Sequence, residues 1–261
     1  MKINIVGGSG IMGSVHSQVF ESLGHEVIIS GRNSNPSIEE SSINSDVTII
    51  SVPITAVEEV IKRVAPHCKA LLDFTSVKTK PLKLMLEYSN RECEVAGLHP
   101  LYGPVSSIKG RTIIYCKTEK SGKTCDYIVE ELKKAGANIK EMTAEKHDLI
   151  VSAVTQNART LLLESLGLLM QNTGLKAKEI YEISPPPTKI LIDLLARQLN
   201  EKNDSMYESM REHNPYTNKV RKELLGFIKS KNKDKESILR SFFAEELEKA
   251  QERAKKAINV D

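Results

Sequence analysis

Near its start the chain reads Lys2-Ile-Asn-Ile-Val-Gly-Gly-Ser-Gly-Ile-Met-Gly13, a short apolar strand that runs directly into a glycine-rich turn. The residues that follow, from Val15 to Leu23, carry apolar side chains at helical spacing. In such a unit the first glycine permits a tight turn, the second lets the backbone approach a pyrophosphate, and the third lets helix and strand pack closely. The helix N-terminus offers free N–H groups to an anion. We therefore predict a dinucleotide site formed by Gly8, Ser9, Gly10, Ile11, Met12 and Gly13.

The next predicted strand ends in Ser30-Gly31-Arg32 and indicates which dinucleotide is bound. Sites for NAD usually offer an acidic residue to the ribose 2′-hydroxyl about 20 residues after the first glycine. No acid occurs there in this chain. Arg32 can pair with a 2′-phosphate and Ser30 can donate to it, with Asn33 beside them. We predict NADP as the cofactor, with NAD as the alternative.

Strand and helix patterns alternate up to residue 148, which is typical of a doubly wound parallel sheet. Most of the predicted strands are continuous apolar runs, as expected where helices cover both faces. They are Lys2–Val6, Glu26–Ser30, Val47–Ser51, Ala70–Phe74, Glu94–Leu98 and Thr112–Cys116. Beyond that point only helix patterns occur, including a long apolar one over Leu149–Met170. We predict a Rossmann-type α/β domain over residues 1–148 and an all-α homodimerisation domain over residues 149–261.

The composition argues against several classes of protein. The net charge is only +3, aromatic residues make up 5%, and tryptophan is absent, so a nucleic-acid binder is not expected. No stretch has the length and apolar content of a membrane span or a signal peptide. The four cysteines form no close pair of the kind that zinc sites use. We expect reduced thiols, no metal ion and a cytoplasmic location.

Three segments should converge on the nicotinamide, because ligands of open α/β sheets lie beyond the carboxyl ends of the strands. These are Ser51-Val52-Pro53, the segment Asp73–Lys78, and the segment Leu98–Pro104. His99 stands in the last of them, where a neutral imidazole can accept a proton from a substrate hydroxyl. With an unperturbed pKa of about 6.5, its protonation should abolish activity below that pH. His147, at the predicted domain junction, either lines the cleft or fixes the start of the long helix.

Several motifs occur together in the order typical of one family. They are Gly8–Gly13, Ser51–Pro53, Asp73-x-x-Ser76-Val77-Lys78, Gly97-Leu-His-Pro-Leu-Tyr-Gly-Pro104 and Glu145-Lys-His-Asp148. The pattern resembles the prephenate dehydrogenases, a family that includes arogenate dehydrogenases of tyrosine biosynthesis. The resemblance implies oxidative decarboxylation of prephenate to 4-hydroxyphenylpyruvate, with hydride leaving ring C4. It makes His99 the catalytic histidine and Ser76 the serine that supports it.

The resemblance also suggests substrate-binding residues in and near the helical half. Arg197 matches the family's carboxylate-binding arginine, and Lys189 matches an upstream basic position. Arg159 stands where members often carry a substrate-contacting histidine, and His147 completes the predicted set. Because of Arg159, an arogenate or amino-deoxyprephenate dehydrogenase remains an alternative. The others are a β-hydroxyacid or imine-reducing dehydrogenase and an NADP-sensing protein without chemistry.

Overall fold

The structure, a computed structural model, describes residues 1–200, 204–229, 235–243 and 246–258. Of the residues inside helices, the side chains of 156–160, 200, 204–208, 227, 235–238 and 257–258 also lie outside the description. The chain divides into two units, Met1–Ser152 with Ser205–Tyr216, and Ala153–Asp204 with Thr217–Asp261. The first stretch of this unit thus ends at Ser152 rather than at residue 148. The unit also includes Ser205–Tyr216, which the sequence pattern assigned to the helical half. One reason is that the Asn214 amide donates to the Asp148 carbonyl oxygen at 2.9 Å.

Seven strands form one sheet in the first unit. They are β1 (Lys2–Val6), β2 (Glu26–Ser30), β3 (Val47–Ile50), β4 (Ala70–Asp73), β5 (Glu94–Pro100), β6 (Thr112–Lys117) and β7 (Asn138–Glu141). Their order is β2-β1-β3-β4-β5-β6-β7, and only the β5–β6 pair is antiparallel. The order reverses between β1 and β3, and such a switch point is where open α/β sheets bind their ligands. The predicted Rossmann-type sheet is confirmed.

Helices cover both faces of this sheet. Those before the second unit are α1 (Ile11–Ser22), α2 (Ile38–Ile43), α3 (Ile54–Val64), α4 (Thr79–Tyr88), α5 (Lys123–Lys134) and α6 (Ala144–Ile150). Successive strand residues point to opposite faces, so Ile49 packs in the cluster under α1 and α5. Ile50 packs in the cluster under α2, α3 and α4. This burial on both faces explains why the central parallel strands β3 and β4 are mostly apolar.

The remaining described helices belong mainly to the second unit. They are α7 (Arg159–Gln171), α8 (Ala177–Ile183), α9 (Pro186–Asn200), α10 (Asp204–His213), α11 (Thr217–Lys229), α12 (Lys235–Phe242) and α13 (Leu247–Ile258). Apart from α10, which falls almost entirely in the first unit, they form the predicted all-α region. Between α6 and α7 the chain forms a π-helical segment, Val151–Ala158. In the part of the chain that the structure describes, no helix combines the length and the hydrophobicity of a membrane span.

Candidate active site

A turn of glycines joins β1 to α1. Gly7 has a φ of +87°, in the left-handed region that favours glycine. A Cβ atom on Gly13 would collide with the Gly7 carbonyl oxygen, and one on Gly7 would collide with the Ser51 carbonyl oxygen. The turn therefore packs directly against the start of α1 and the end of β3. Gly7 precedes the glycine motif, so the motif alone does not mark it.

The start of α1 fits a dinucleotide diphosphate. Its N-cap, Gly10, supplies no side-chain hydrogen bond, and no acidic residue lies in the first helical turn. Backbone N–H groups there and the positive end of the helix dipole are consequently available to an anion. Ser51, Val52 and Pro53 follow β3 on the other side of the switch point, and the Ser51 N–H donates to the Val6 carbonyl oxygen at 2.8 Å.

The residues expected to recognise a 2′-phosphate differ in burial at the end of β2. Ser30 is buried, and its hydroxyl donates to Asn4 Oδ1 at 2.7 Å. Because the hydroxyl proton of Ser30 is donated to Asn4, it is not available to a phosphate, and this corrects the expectation that Ser30 donates to one. Arg32 and Asn33 are exposed just beyond the strand. The cofactor prediction consequently rests on Arg32.

His99 lies near the end of β5 and contacts His147 of α6. The Nδ1 of His99 and the Nε2 of His147 are 2.7 Å apart, and the two rings meet at 71°. His99 is partly exposed, whereas His147 is 1% exposed. Of the two ring nitrogens of His99, only Nδ1 has a hydrogen-bond partner among the described residues. The Nε2 of His99 is thus the nitrogen that can meet a ligand.

The Asp148 carboxylate lies behind this pair of histidines. Its Oδ1 is 2.8 Å from His147 Nδ1 and accepts the Lys78 N–H at 2.7 Å, while Oδ2 accepts the Thr79 N–H at 2.8 Å. The carboxylate therefore caps the N-terminus of α4 from far along the chain. Burial raises the pKa of Asp148, but the hydrogen bonds from His147, Thr79 and Lys78 outweigh it and hold the pKa below its usual value.

The environment of His99 favours its neutral form. Burial lowers the pKa of His99 well below its usual value, and repulsion from His147 and Lys78 lowers it further. The expected pKa of about 6.5 is corrected downward accordingly. His99 is therefore a neutral hydrogen-bond acceptor at pH 7.

A buried ion pair supports the strand that carries His99. Lys78 and Asp73 are both fully buried, and the Lys78 Nζ lies 2.5 Å from Asp73 Oδ2 and 2.8 Å from the Leu98 carbonyl oxygen. A Cβ atom on Gly97 would lie 2.9 Å from Lys78 Cδ, so glycine at that position leaves room for the lysine side chain. The pair thus anchors β5 immediately before His99.

The loop after β5 is tied to the cofactor helix by a second histidine. The Nε2 of His16 lies 3.0 Å from the Tyr102 hydroxyl, and its Nδ1 lies 2.8 Å from the Met12 carbonyl oxygen. Burial lowers the pKa of His16 to about 4, although the hydrogen bond to Met12 opposes this shift. A neutral His16 therefore links α1 to the segment that follows His99, as a structural residue.

The remaining predicted site residues lie before α4 and on two helices of the second unit. Ser76 is partly exposed between β4 and α4, and within the described residues no hydrogen bond joins its hydroxyl to His99. Lys189 and Arg197 lie on α9, where the Lys189 ammonium is 5.2 Å from the centre of the Tyr181 ring. Arg159 begins α7, but its side chain lies outside the described residues. Substrate contact by these residues stays a prediction.

The family model for the nucleotide-binding domain of prephenate dehydrogenase matches residues 8–141. A probable arogenate/prephenate dehydrogenase of Methanocaldococcus jannaschii is 28% identical over 266 residues, which cover 92% of this chain and 59% of the relative. The T-protein of Haemophilus influenzae is 28% identical over 200 residues, which cover 75% of this chain and 52% of the relative. The chain thus spans only 59% and 52% of the length of these two curated relatives.

Solved structures share the fold over nearly the whole chain. The prephenate dehydrogenase of A. aeolicus, crystallised with hydroxyphenyl propionate and NAD⁺, has a TM-score of 0.66 at 20% identity and covers 100% of this chain and 98% of its own. The arogenate dehydrogenase of Synechocystis has a TM-score of 0.68 at 16% identity, covering 98% of this chain and 99% of its own. At these identities the likeness establishes the architecture only.

Proposed function

The chain belongs to the prephenate dehydrogenase family, and from this premise we propose that it converts prephenate to 4-hydroxyphenylpyruvate with NADP as the oxidant. The observation that carries the proposal is the position of His99 near the carboxyl end of β5, with its Nδ1 bound to His147 and its Nε2 without a partner among the described residues. Burial lowers the pKa of His99 and so favours its neutral form. Arogenate, which has an amine in place of the side-chain ketone, is the second candidate. It is kept because the M. jannaschii relative is named for both substrates.

The proposed chemistry assigns one proton transfer to the protein. The bound nicotinamide would take the hydride from ring C4, while the ring carboxylate leaves as CO₂. The Nε2 of His99 accepts the proton of the C4 hydroxyl as that carbon is oxidised. His99 returns the proton when the electrons released by decarboxylation make the ring a phenol. No net proton is released, and aromatisation of the ring supplies the driving force.

Other residues have proposed roles in holding the substrate. We assign the two carboxylates of prephenate to Arg197, Lys189 and Arg159, because a guanidinium pairs well with a carboxylate. Ser76 is proposed to orient the C4 hydroxyl toward His99. His147 is no longer a candidate for direct contact, because it is buried and both of its ring nitrogens have protein partners.

The function is tested by following NADPH formation and CO₂ release with prephenate and, in parallel, with arogenate. We expect both products to appear in equal amounts with prephenate, and at a higher kcat/KM than with arogenate. A preference for arogenate would make the second candidate correct. If neither compound reduces the cofactor above the rate of a His99→Asn control, the proposed function is wrong.

Cofactor preference is expected to depend on Arg32. The wild type should use NADP with a higher kcat/KM than NAD, and Arg32→Ala should lower the NADP value selectively. A hydrogen bond to a charged group contributes about 1.5–3 kcal/mol, so the expected loss is roughly 10- to 150-fold. The exposed Arg91, after α4, provides a matched control, and Arg91→Ala should change neither value. Equal use of the two cofactors by the wild type would contradict the prediction.

We also propose that the second unit forms a homodimer. Large apolar side chains there are more than 60% exposed: Leu162, Leu168, Leu169, Ile183 and Leu199. Large apolar side chains that are exposed in such number are typical of a surface that another protein covers. Light scattering at micromolar concentration should give twice the monomer mass, and Leu168→Glu should shift it toward the monomer. A wild-type monomer would overturn the proposal.

A further inference from the structure

We propose that His147 and Asp148 act together as positioning residues that hold His99 in one tautomer, with its proton on Nδ1 and a lone pair on Nε2. The inference rests on the proposed function, since it states what prepares the acceptor for the substrate hydroxyl. It assigns His147 no contact with the substrate. His99, His147 and Asp148 form a relay of hydrogen bonds. The direction of each bond follows from the groups that donate to Asp148, at the end away from His99.

The relay begins at a carboxylate that can only accept. Backbone N–H groups always donate, and the Asp148 oxygens take one from Lys78 at 2.7 Å and one from Thr79 at 2.8 Å. The Thr79 hydroxyl also lies against Oδ2. Although burial raises the pKa of Asp148, its hydrogen bonds hold that pKa below its usual value, so at pH 7 the group is an ionised carboxylate that only accepts. His147 Nδ1, 2.8 Å from Oδ1, must consequently carry a hydrogen and donate it.

The second step fixes His99. A neutral imidazole that donates from Nδ1 has its lone pair on Nε2. The relay as proposed has a neutral His147, so the Nε2 of His147 accepts and its partner at 2.7 Å, the Nδ1 of His99, donates. The single ring proton of a neutral His99 is thus on Nδ1 and is donated to His147, which leaves the Nε2 of His99 as an acceptor. The opposite tautomer of His99 would set two lone pairs against each other.

Burial of the relay makes this preference strong. His147 is 1% exposed and Asp148 is 0% exposed, so water cannot replace either partner. The anchor is also rigid, because Asp148 caps α4 and its carbonyl oxygen accepts from Asn214 at 2.9 Å. When His99 takes up the substrate proton, its Nδ1–H keeps its acceptor. The carboxylate then stabilises the new positive charge through His147.

The inference is tested with His147→Leu and His147→Gln, made in the whole chain of residues 1–261. Leucine offers no acceptor to His99 Nδ1–H, and we expect kcat with prephenate to fall roughly 10- to 100-fold with little change in KM; the wrong tautomer in a serine-protease triad costs about 10⁴-fold. The amide oxygen of glutamine can accept the same hydrogen. His147→Gln should therefore recover most of the lost kcat, a rescue that a purely structural role would not produce.

The tautomer itself is read by two-bond ¹H–¹⁵N correlation of ¹⁵N-histidine-labelled enzyme without substrate. The signals of His99 are assigned by their absence in His99→Asn. We expect a protonated Nδ1 and an unprotonated Nε2 in the wild type and in His147→Gln, and proton density on Nε2 in His147→Leu. A wild-type His99 with its proton on Nε2 overturns the proposal, as does an unchanged tautomer in His147→Leu. If His147→Leu does not fold, the wild type and His147→Gln still decide.

His25 provides a matched control. Its Nε2 lies 3.0 Å from Glu131 Oε2, and both side chains are about as buried as the relay, at 4% and 5% exposure. His25→Gln should leave kcat and the His99 signals unchanged. The two proposals fail separately, because the tautomer measurement needs no substrate. A correct tautomer without prephenate oxidation counts against the function alone, and activity with the wrong tautomer overturns the relay alone.

Discussion

His99→Asn is expected to lower kcat with prephenate by at least about a hundredfold while leaving the affinity for NADPH nearly unchanged. General base assistance contributes about 10²–10⁴-fold, and an asparagine amide cannot take up the proton of the C4 hydroxyl. The glycine turn that would hold the diphosphate, Gly8–Gly13, is formed by another part of the sheet edge and is not altered. Steady-state NADPH formation measures the first effect, and fluorescence titration with NADPH measures the second.

The pH profile of the wild type provides a second readout of the same residue. Because the pKa of His99 is lowered, the imidazole stays neutral to a lower pH than an ordinary histidine. Activity should therefore be lost only as the pH falls below about 6.5 and through the lowered pKa, and an acid limb above that value would contradict the assignment. Ser76→Ala should cost less than His99→Asn, since that serine orients rather than accepts.

An exposed histidine serves as the control for this variant. His67 follows α3 on the surface of the first unit, and His67→Asn should change neither kcat nor the pH profile. If His99→Asn keeps most of its kcat with prephenate, then another group accepts the proton or the substrate is a different compound. The parallel assay with arogenate separates these two outcomes.

The sheet was predictable from sequence wherever its strands are buried on both faces. All residues of β3 and β4 are buried, so their local apolar runs are sufficient evidence for strands. The edge strand β7, Asn-Ile-Lys-Glu, exposes three of its residues, and its polar composition does not suggest a strand. Its backbone becomes a strand through pairing with β6, which brings Ile139 opposite Ile113. That pairing depends on the rest of the fold.

In the candidate site, too, some features follow from short sequence motifs, whereas others depend on contacts between residues far apart in the chain. The glycine turn and His99 are marked by short motifs next to strands. The partner of His99 lies 48 residues away, and the helix that Asp148 caps begins about 70 residues before it. Ser30 resembled a ligand contact because it ends a strand, but its hydroxyl reaches Asn4 of the neighbouring strand. No pattern within a single segment reveals such contacts.

Lys78 is the clearest case of a residue whose surroundings its own segment does not reveal, because a lysine is almost never fully buried unless it is paired. Lys78→Met should lower the free energy of unfolding by about 3–5 kcal/mol, the usual cost of leaving a buried charge without its partner. Methionine keeps most of the aliphatic stem that passes Gly97 and removes the ammonium. Asp73 would then be left with the backbone and hydroxyl contacts of Thr75. Urea denaturation measures the change.

Two further variants show whether the loss comes from the unpaired charge. Asp73→Asn combined with Lys78→Met should recover most of the stability, because replacing both members of a buried ion pair is often nearly neutral. Lys62→Met breaks the exposed pair with Glu58, 2.8 Å long, and should barely move the midpoint. If Lys78→Met costs no more than Lys62→Met, the buried pair does not stabilise the fold. The double variant still lacks the Lys78 contact to the Leu98 carbonyl oxygen, so a kcat that stays low after stability recovers would mean that this contact orients His99.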